Sequence, residues 1–377
     1  MMILSEPHRR FRKEVREFAL RVIAPGAAAC DLSGTFVEAN VKALAEQGYL
    51  GIPWPKELGG MGLDYLSYAI GVEEVSRVCA STGLTMAAHT SLGTYPIYKF
   101  GTKEQKEKYV PPLARGEYLG SFGLTEPNAG SDAAGIETTA KKTDKGFLIN
   151  GSKRFITSAS YAGTVIVAAS MDRKLGRKAI TCFIAETKTP GFKVASKERK
   201  LGLSGSDTVE LAFEDMLLPL DSVLGQEMDG YRIFMETLDG GRISIGAFCL
   251  GMAQCALDAM VEWFKDRNMT QLEQKALSDV ATQVEAARQL VYSAAVTKDA
   301  NIRADKQCAF AKLFASEVAV WAAGTAIDAI GPLAITDQMP LARVYRDAKL
   351  GEIGEGTSEV MRLIIAKEVL KEAKETL

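Results

Sequence analysis

At 377 residues, with 47% hydrophobic and 24% charged side chains, the chain is long enough for two or three domains and apolar enough to fill their cores. Its 45 basic and 47 acidic residues are interspersed to a net charge of −2, which offers no basic patch for nucleic acid and no acidic tail. Met1 to Arg10 is already polar, so neither a signal peptide nor a long apolar span is expected there, and the expectation is a cytoplasmic protein with no membrane partner.

From Glu6 to about Gly116 apolar residues recur at helical spacing. Phe11, Val15, Phe18, Ala19 and Val22 form the first stripe, and Pro25 is expected to end that helix. Residues 1–116 therefore read as an all-α domain, interrupted by a rigid loop at Pro53-Trp-Pro55 and Gly59-Gly-Met-Gly62. Over 117–228 the pattern changes to short β-branched runs, Thr164–Ala168, Ile180–Ile184 and Val209–Phe213, separated by turns such as Thr189-Pro-Gly191. A small, barrel-like sheet domain fits them. Over 229–377 long alanine-rich helices return, spanning Ile245–Phe264, Leu272–Asn301 and Lys306–Ile330, and a four-helix bundle would bury their faces. The fold class is α+β, an all-α domain followed by a middle β domain and a C-terminal bundle. The apolar excess on the last helices points to cover by other subunits. Six cysteines show no Cys-x-x-Cys spacing and only His8 and His89 accompany them, so buried reduced thiols are expected rather than a metal site.

The segment Phe122-Gly-Leu-Thr-Glu-Pro-Asn-Ala-Gly-Ser-Asp132 joins an apolar strand to a turn dense in hydrogen-bond donors. Gly123 and Gly130 are expected to allow close backbone approach and positive φ, Pro127 to fix the bend, and Thr125 and Ser131 to add hydroxyls. Such a turn can hold an anion or a polar ring edge, although many glycine-rich turns are purely structural.

Two later islands give that turn a context. In order along the chain, Phe122–Asp132, then Asn150-Gly-Ser-Lys-Arg-Phe-Ile-Thr157, then Arg346-Asp-Ala-Lys349 with Glu355-Gly-Thr-Ser-Glu-Val-Met-Arg362, resemble the acyl-CoA dehydrogenases. Pro111–Glu117 and Ser206–Asp215 extend the likeness over nearly the whole chain, nearest to the butyryl or short-chain branch. The resemblance implies FAD-dependent α,β-dehydrogenation of an acyl-CoA thioester to the trans-2-enoyl-CoA, on a short-chain, branched or alicyclic acyl group. It also implies electron-transferring flavoprotein as acceptor, and a homo-oligomer, dimer or tetramer.

The same resemblance assigns residues. Glu355, between Gly354 and Gly356, matches the catalytic base; in an arbitrary chain a glutamate between glycines would usually be solvated. Some family members carry the base on the helix beginning near Asp239, where this chain has Gly241, so Glu355 has no rival. Phe122, Leu124, Thr125, Gly130, Ser131, Phe155, Thr157, Thr357 and Glu359 match cofactor positions. Ser131, Asp239, Arg242 and Gly356 match substrate positions, although Asp239 and Arg242 would also suit an ordinary helix start. Enclosure in an apolar pocket is expected to raise the pKa of Glu355. Gly83 stands where glutaryl-specific members hold an arginine, which disfavours a dicarboxylic acyl group.

Two departures concern the part of the FAD site shared between subunits. The family's Arg-x-x-Phe-Gly-x-x-Leu segment is here Arg267-Asn-Met-Thr-Gln271, with the cofactor-contacting arginine kept and the Phe-Gly lost; either the site is built differently or a short loop is missing. The Gln-x-x-Gly-Gly-x-Gly loop is here Asp328-Ala-Ile-Gly-Pro-Leu-Ala334. Weaker FAD binding is the expectation. The alternatives are a flavin-poor scaffold or binding relative of the same fold, which the altered loops keep open, or an acyl-CoA oxidase, which usually carries a further C-terminal domain.

Overall fold

The computed structural model describes residues 4–376. Seven helices lead the chain, α1 Glu6–Phe18, α2 Ala24–Ser33, α3 Glu38–Glu46, α4 Tyr65–Ser76, α5 Ala80–Ala88, α6 Tyr95–Phe100 and α7 Lys103–Ala114. Phe11, Val15 and Phe18 bury the expected stripe of α1. Pro25 does not end that helix. A π-turn over Ala19–Ile23 carries the chain into α2, where Pro25 occupies the first turn and its missing N–H costs nothing, and Gly34 in the left-handed region stops it.

Eight strands follow, β1 Leu119–Gly123, β2 Thr139–Thr143, β3 Gly146–Thr157, β4 Ala162–Ser170, β5 Ile180–Glu186, β6 Phe192–Lys197, β7 Thr208–Leu218 and β8 Val223–Leu224. They form one sheet in the order β6-β7-β3-β2-β4-β5-β8, with β1 parallel to β4. Both halves face one core, Phe147, Ile149 and Phe213 meeting Val165, Val167 and Phe183. The sheet thus wraps like a barrel, but its path ends at β6 and β8 without closing.

The last five helices are α8 Gly230–Phe264, α9 Gln271–Asp299, α10 Asp305–Ile330, α11 Leu341–Ala348 and α12 Ser358–Thr376. α8 is 35 residues and so roughly 52 Å long, starting fifteen residues earlier than its alanine-rich stretch suggests. By length and composition α8 and α10 could each span a membrane, yet the apolar window of α8 is 83% buried within this chain, as befits a core helix.

The first and last helical units share a single hydrophobic core, in which Ile70, Val72 and Met86 pack with Phe248, Met252, Val284 and Ala319. At their crossing a side chain at Gly251 of α8 would meet the Glu73 carbonyl of α4 at 2.4 Å, so only glycine permits this approach. Buried charge reinforces the joint: the Glu73 carboxylate accepts from Arg12 of α1 at 2.9 Å and from Tyr292 and Arg288 of α9 at 2.5 and 3.1 Å. His89 stitches the helices to the sheet. Its Nδ1 accepts the Gly120 N–H at 3.0 Å and its Nε2 donates to the Leu113 carbonyl at 3.0 Å, and complete burial pushes its pKa down to about 4, leaving a neutral ring. Five of the six free cysteines are buried and Cys30 is half-buried.

Candidate active site

Glu355 lies in the turn between a short 3-10 segment, Lys349–Glu352, and α12. Its φ is 54° and that of Gly356 is 99°, so two consecutive residues sit in the left-handed region. For glutamate that placement costs on the order of 1 kcal/mol or more, and it persists because neighbours fix it. The N–H groups of Ile353 and Gly354 both bond the Leu350 carbonyl, and the buried Lys312 of α10 donates to the Gly356 carbonyl.

This turn aims the carboxylate at α8. Oε2 has no accessible surface and no hydrogen-bond partner. It lies 2.0 Å from where a Cβ on Gly241 would stand, with Leu92 on the same side. Burial pushes the Glu355 pKa up to about 7, against the opposing pull of Lys312 and Arg242. Beside it, Arg242 pairs with Asp239, and the arginine is 6% exposed with its Nε unpartnered. Burial raises Asp239 to about 6 in spite of Arg242. Below lies a hydroxyl cluster that sequence reading did not single out. Tyr68 donates to the Ala87 carbonyl at 3.0 Å, Ser91 to the same carbonyl at 2.7 Å, and Ser244 to Ser91 and to the Gly241 carbonyl.

The loop after β1 is pinned from beneath. Glu126 and Ala129 exchange backbone hydrogen bonds, leaving Pro127 and Asn128 exposed at the tip. The buried Glu126 carboxylate accepts from the Glu137 and Thr138 N–H groups and from Lys153 of β3 at 2.6 Å, while Lys153 also donates to the Leu124 carbonyl. Burial pulls Lys153 down to about 8 against that carboxylate. Neither Gly123 nor Gly130 takes a positive φ, contrary to expectation: Gly123 is ordinary strand, and the space beside Gly130 is open. The close fit comes from the Glu126–Lys153 pair. Leu124 is buried, Phe122 and Thr125 half-buried, and Ser131 exposed.

A break in the β3–β7 register between Lys153 and Ile156 turns Phe155 outward. Phe155 has φ 59° and is 56% exposed, its ring faced by Arg154 at 5.0 Å. Among the described residues the hydroxyls of Thr125, Ser131 and Thr157 have no partner within the chain, and Ser158 Oγ is buried without one. Phe122 meets Phe234 of α8 edge-on at 5.0 Å, so this surface and Glu355 converge on one stretch of α8.

Thr357 and Glu359 stand at the N-terminus of α12. They line an open cleft of about 450 Å³ with Lys349, Arg362, Glu317 and Glu352. The Thr357 hydroxyl caps the Val360 N–H, and Ser358 Oγ is buried and unpartnered. Arg267 stands apart. It lies just beyond the far end of α8, roughly 35 Å from Gly241 along the helix, with its guanidinium 3.5 Å above the Trp263 ring. The α8–α9 connection ends on a capping box of Thr270 and Glu273. Gly83 is buried, and Ser76 fills the space its side chain would need.

Lys312 was missed because it falls in an apolar helical run, yet its position four residues after buried Cys308 marked it as inward-facing.

The acyl-CoA dehydrogenase N-terminal, middle and C-terminal domain families match residues 5–117, 121–216 and 228–370. The probable acyl-CoA dehydrogenase YngJ of Bacillus subtilis (strain 168) is 46% identical over 98% of this chain and 99% of its own length. The human mitochondrial short-chain specific acyl-CoA dehydrogenase is 44% identical over 98% of this chain and 91% of its own. The solved butyryl-CoA dehydrogenase of Megasphaera elsdenii superposes with a TM-score of 0.95 at 39% identity, over 98% of this chain and all of that one. With three domain matches in register and relatives aligned end to end, this chain belongs to the acyl-CoA dehydrogenase family of FAD-dependent oxidoreductases.

Proposed function

We propose that this protein removes the α-proton and β-hydride of a short-chain, branched or alicyclic acyl-CoA thioester to give the trans-2-enoyl-CoA, with Glu355 as base. The observation that carries the reading is the buried, unpartnered Oε2 of Glu355 above Gly241. A carboxylate oxygen shielded from water and lacking a donor, on a group whose pKa burial raises to about 7, is basic enough for proton abstraction next to a thioester carbonyl. The Glu355 amide is the candidate donor to that carbonyl, steadying negative charge as the proton leaves. Arg242 and Asp239 would hold the coenzyme A arm.

The chain's surfaces suit FAD. Unpartnered hydroxyls at Thr125, Ser131 and Thr157, the outward Phe155 ring and the open space beside Gly130 would line the flavin. The N-terminus of α12, with Thr357 and Ser358, offers N–H groups for a pyrophosphate, and Glu359 lies beside it. FAD held there would supply the acceptor for the β-hydride. Arg267 would serve the cofactor of an adjoining subunit in a dimer or tetramer, and electron-transferring flavoprotein is the proposed acceptor.

The fully buried Tyr68 and the Ser91–Ser244 pair support a short acyl cavity, since bulk and satisfied hydroxyls close its floor. Anaerobic bleaching of the flavin by a panel of saturated thioesters tests the reading. The expected order places four- and five-carbon chains first; no bleaching by any thioester sinks it.

A further inference from the structure

Lys312 is fully buried in α10, and no carboxylate lies within ion-pair distance of it among the described residues. An uncompensated buried ammonium is costly, so its position needs a reason. Its hydrogen bond goes to the Gly356 carbonyl, the peptide oxygen next to Glu355 in the turn where both residues have positive φ. We infer that Lys312 is a positioning residue for Glu355, fixing the Glu355–Gly356 peptide so that the carboxylate stays over Gly241, and supplying, among the described residues, the uncompensated positive charge that faces it. The inference rests on reading Glu355 as the base.

The other groups around Glu355 cannot fill that place. Arg242 of α8 also faces the carboxylate but is already paired with Asp239. Tyr68 of α4 is held neutral by burial and occupied by the Ala87 carbonyl. Cys249 of α8 is pushed up to about 12 by burial and is a neutral thiol. Glu352 pairs with Lys349. That leaves Lys312, the first charge opposing the burial of Glu355. Removing it should leave the fold intact, because methionine matches its length in an apolar run, but the carboxylate would then hold its proton to higher pH and lose its fixed aim.

The test compares the FAD-loaded protein with its Lys312→Met and Lys312→Arg variants. For Lys312→Met the limiting rate of anaerobic flavin reduction at pH 7 is expected to fall on the order of tenfold, its pH profile moving upward by about one unit with little change in half-saturation. Lys312→Arg should return the profile toward that of the parent. A second readout does not depend on turnover: the unfolding free energy of each protein minus that of its Glu355→Gln counterpart, followed against pH, reports the titration of Glu355. Its inflection should sit higher in the Lys312→Met background. Inflections that coincide in both backgrounds, or a uniform loss of rate at every pH, would overturn the role of Lys312. An undiminished rate in Glu355→Gln would overturn the reading of the base instead, while the stability inflection still decides whether Lys312 sets the state of Glu355.

Discussion

The Glu355 carboxylate occupies the volume that a side chain at Gly241 would fill, so the base in this position and any side chain at residue 241 are mutually exclusive in space. A single methyl group is enough to test this. In Gly241→Ala the new Cβ would fall 2.0 Å from Oε2, and the carboxylate must swing away. The expected loss in the rate of flavin reduction is on the order of 10²-fold. Thermal unfolding should show no loss of stability, since alanine is the better helix former by about 1 kcal/mol. A variant that keeps its rate would mean the carboxylate works from elsewhere.

Phe155 combines a left-handed backbone with an exposed ring, a poor arrangement for a folded chain and a useful one for covering a flavin. Phe155→Asn should unfold at the same or slightly higher denaturant, because asparagine accepts positive φ, with a gain of up to about 1 kcal/mol. FAD dissociation, followed by flavin fluorescence, should become faster. Destabilisation without a change in flavin release would assign Phe155 to the fold alone.

The Glu126–Lys153 pair makes the opposite case, since both groups are buried and neither is free to contact a ligand. Lys153→Met strands the Glu126 carboxylate, and the expected cost is about 3 kcal/mol in urea unfolding, together with weaker flavin retention as the Leu124–Ala129 loop loosens. Unchanged flavin affinity in a destabilised protein would separate the loop's stability from the cofactor site.

His89 should make stability depend on pH in a defined direction. Its folded pKa of about 4 lies below the ordinary 6.5, so the unfolded chain binds the extra proton between those values. The contribution is present above pH 6.5 and is lost as pH falls toward 4, amounting to about 3 kcal/mol. Glu355 works against it. With a folded pKa near 7, Glu355 contributes stability at low pH that fades as pH rises to that value. The His89 part is therefore read as the difference between the chain and His89→Gln, which should grow from pH 4 to 6.5; a flat difference would mean that the ring is not held neutral.

Helical and strand periodicity made the three structural regions legible, because burial of one face imposes it wherever an element is amphipathic. It failed at Pro25, where a π-turn lets the helix pass a residue that normally ends one. The motif islands pointed to Glu355 and the loop after β1, and the likeness near Asp239 pointed to Arg242. They misplaced the cause of the loop's shape, which lies in a long-range ion pair between Glu126 and Lys153 rather than in glycine dihedrals. Lys312 and Tyr68 escaped for the same reason: their roles come from what α10 and α4 bring against the turn at Glu355, and no local pattern encodes a contact across forty or more residues.

The most direct measurement is the single-turnover rate of anaerobic flavin reduction by butyryl-CoA, in the parent protein and in Glu355→Gln, across pH 5 to 9 at roughly unit steps. The parent rate should rise with pH through an inflection near 7, where the carboxylate loses its proton. Glu355→Gln, with FAD bound as before, should be slower by about 10³-fold or more and show no such inflection. A Glu355→Gln protein that bleaches within a few-fold of the parent would contradict the assignment of Glu355 as the base.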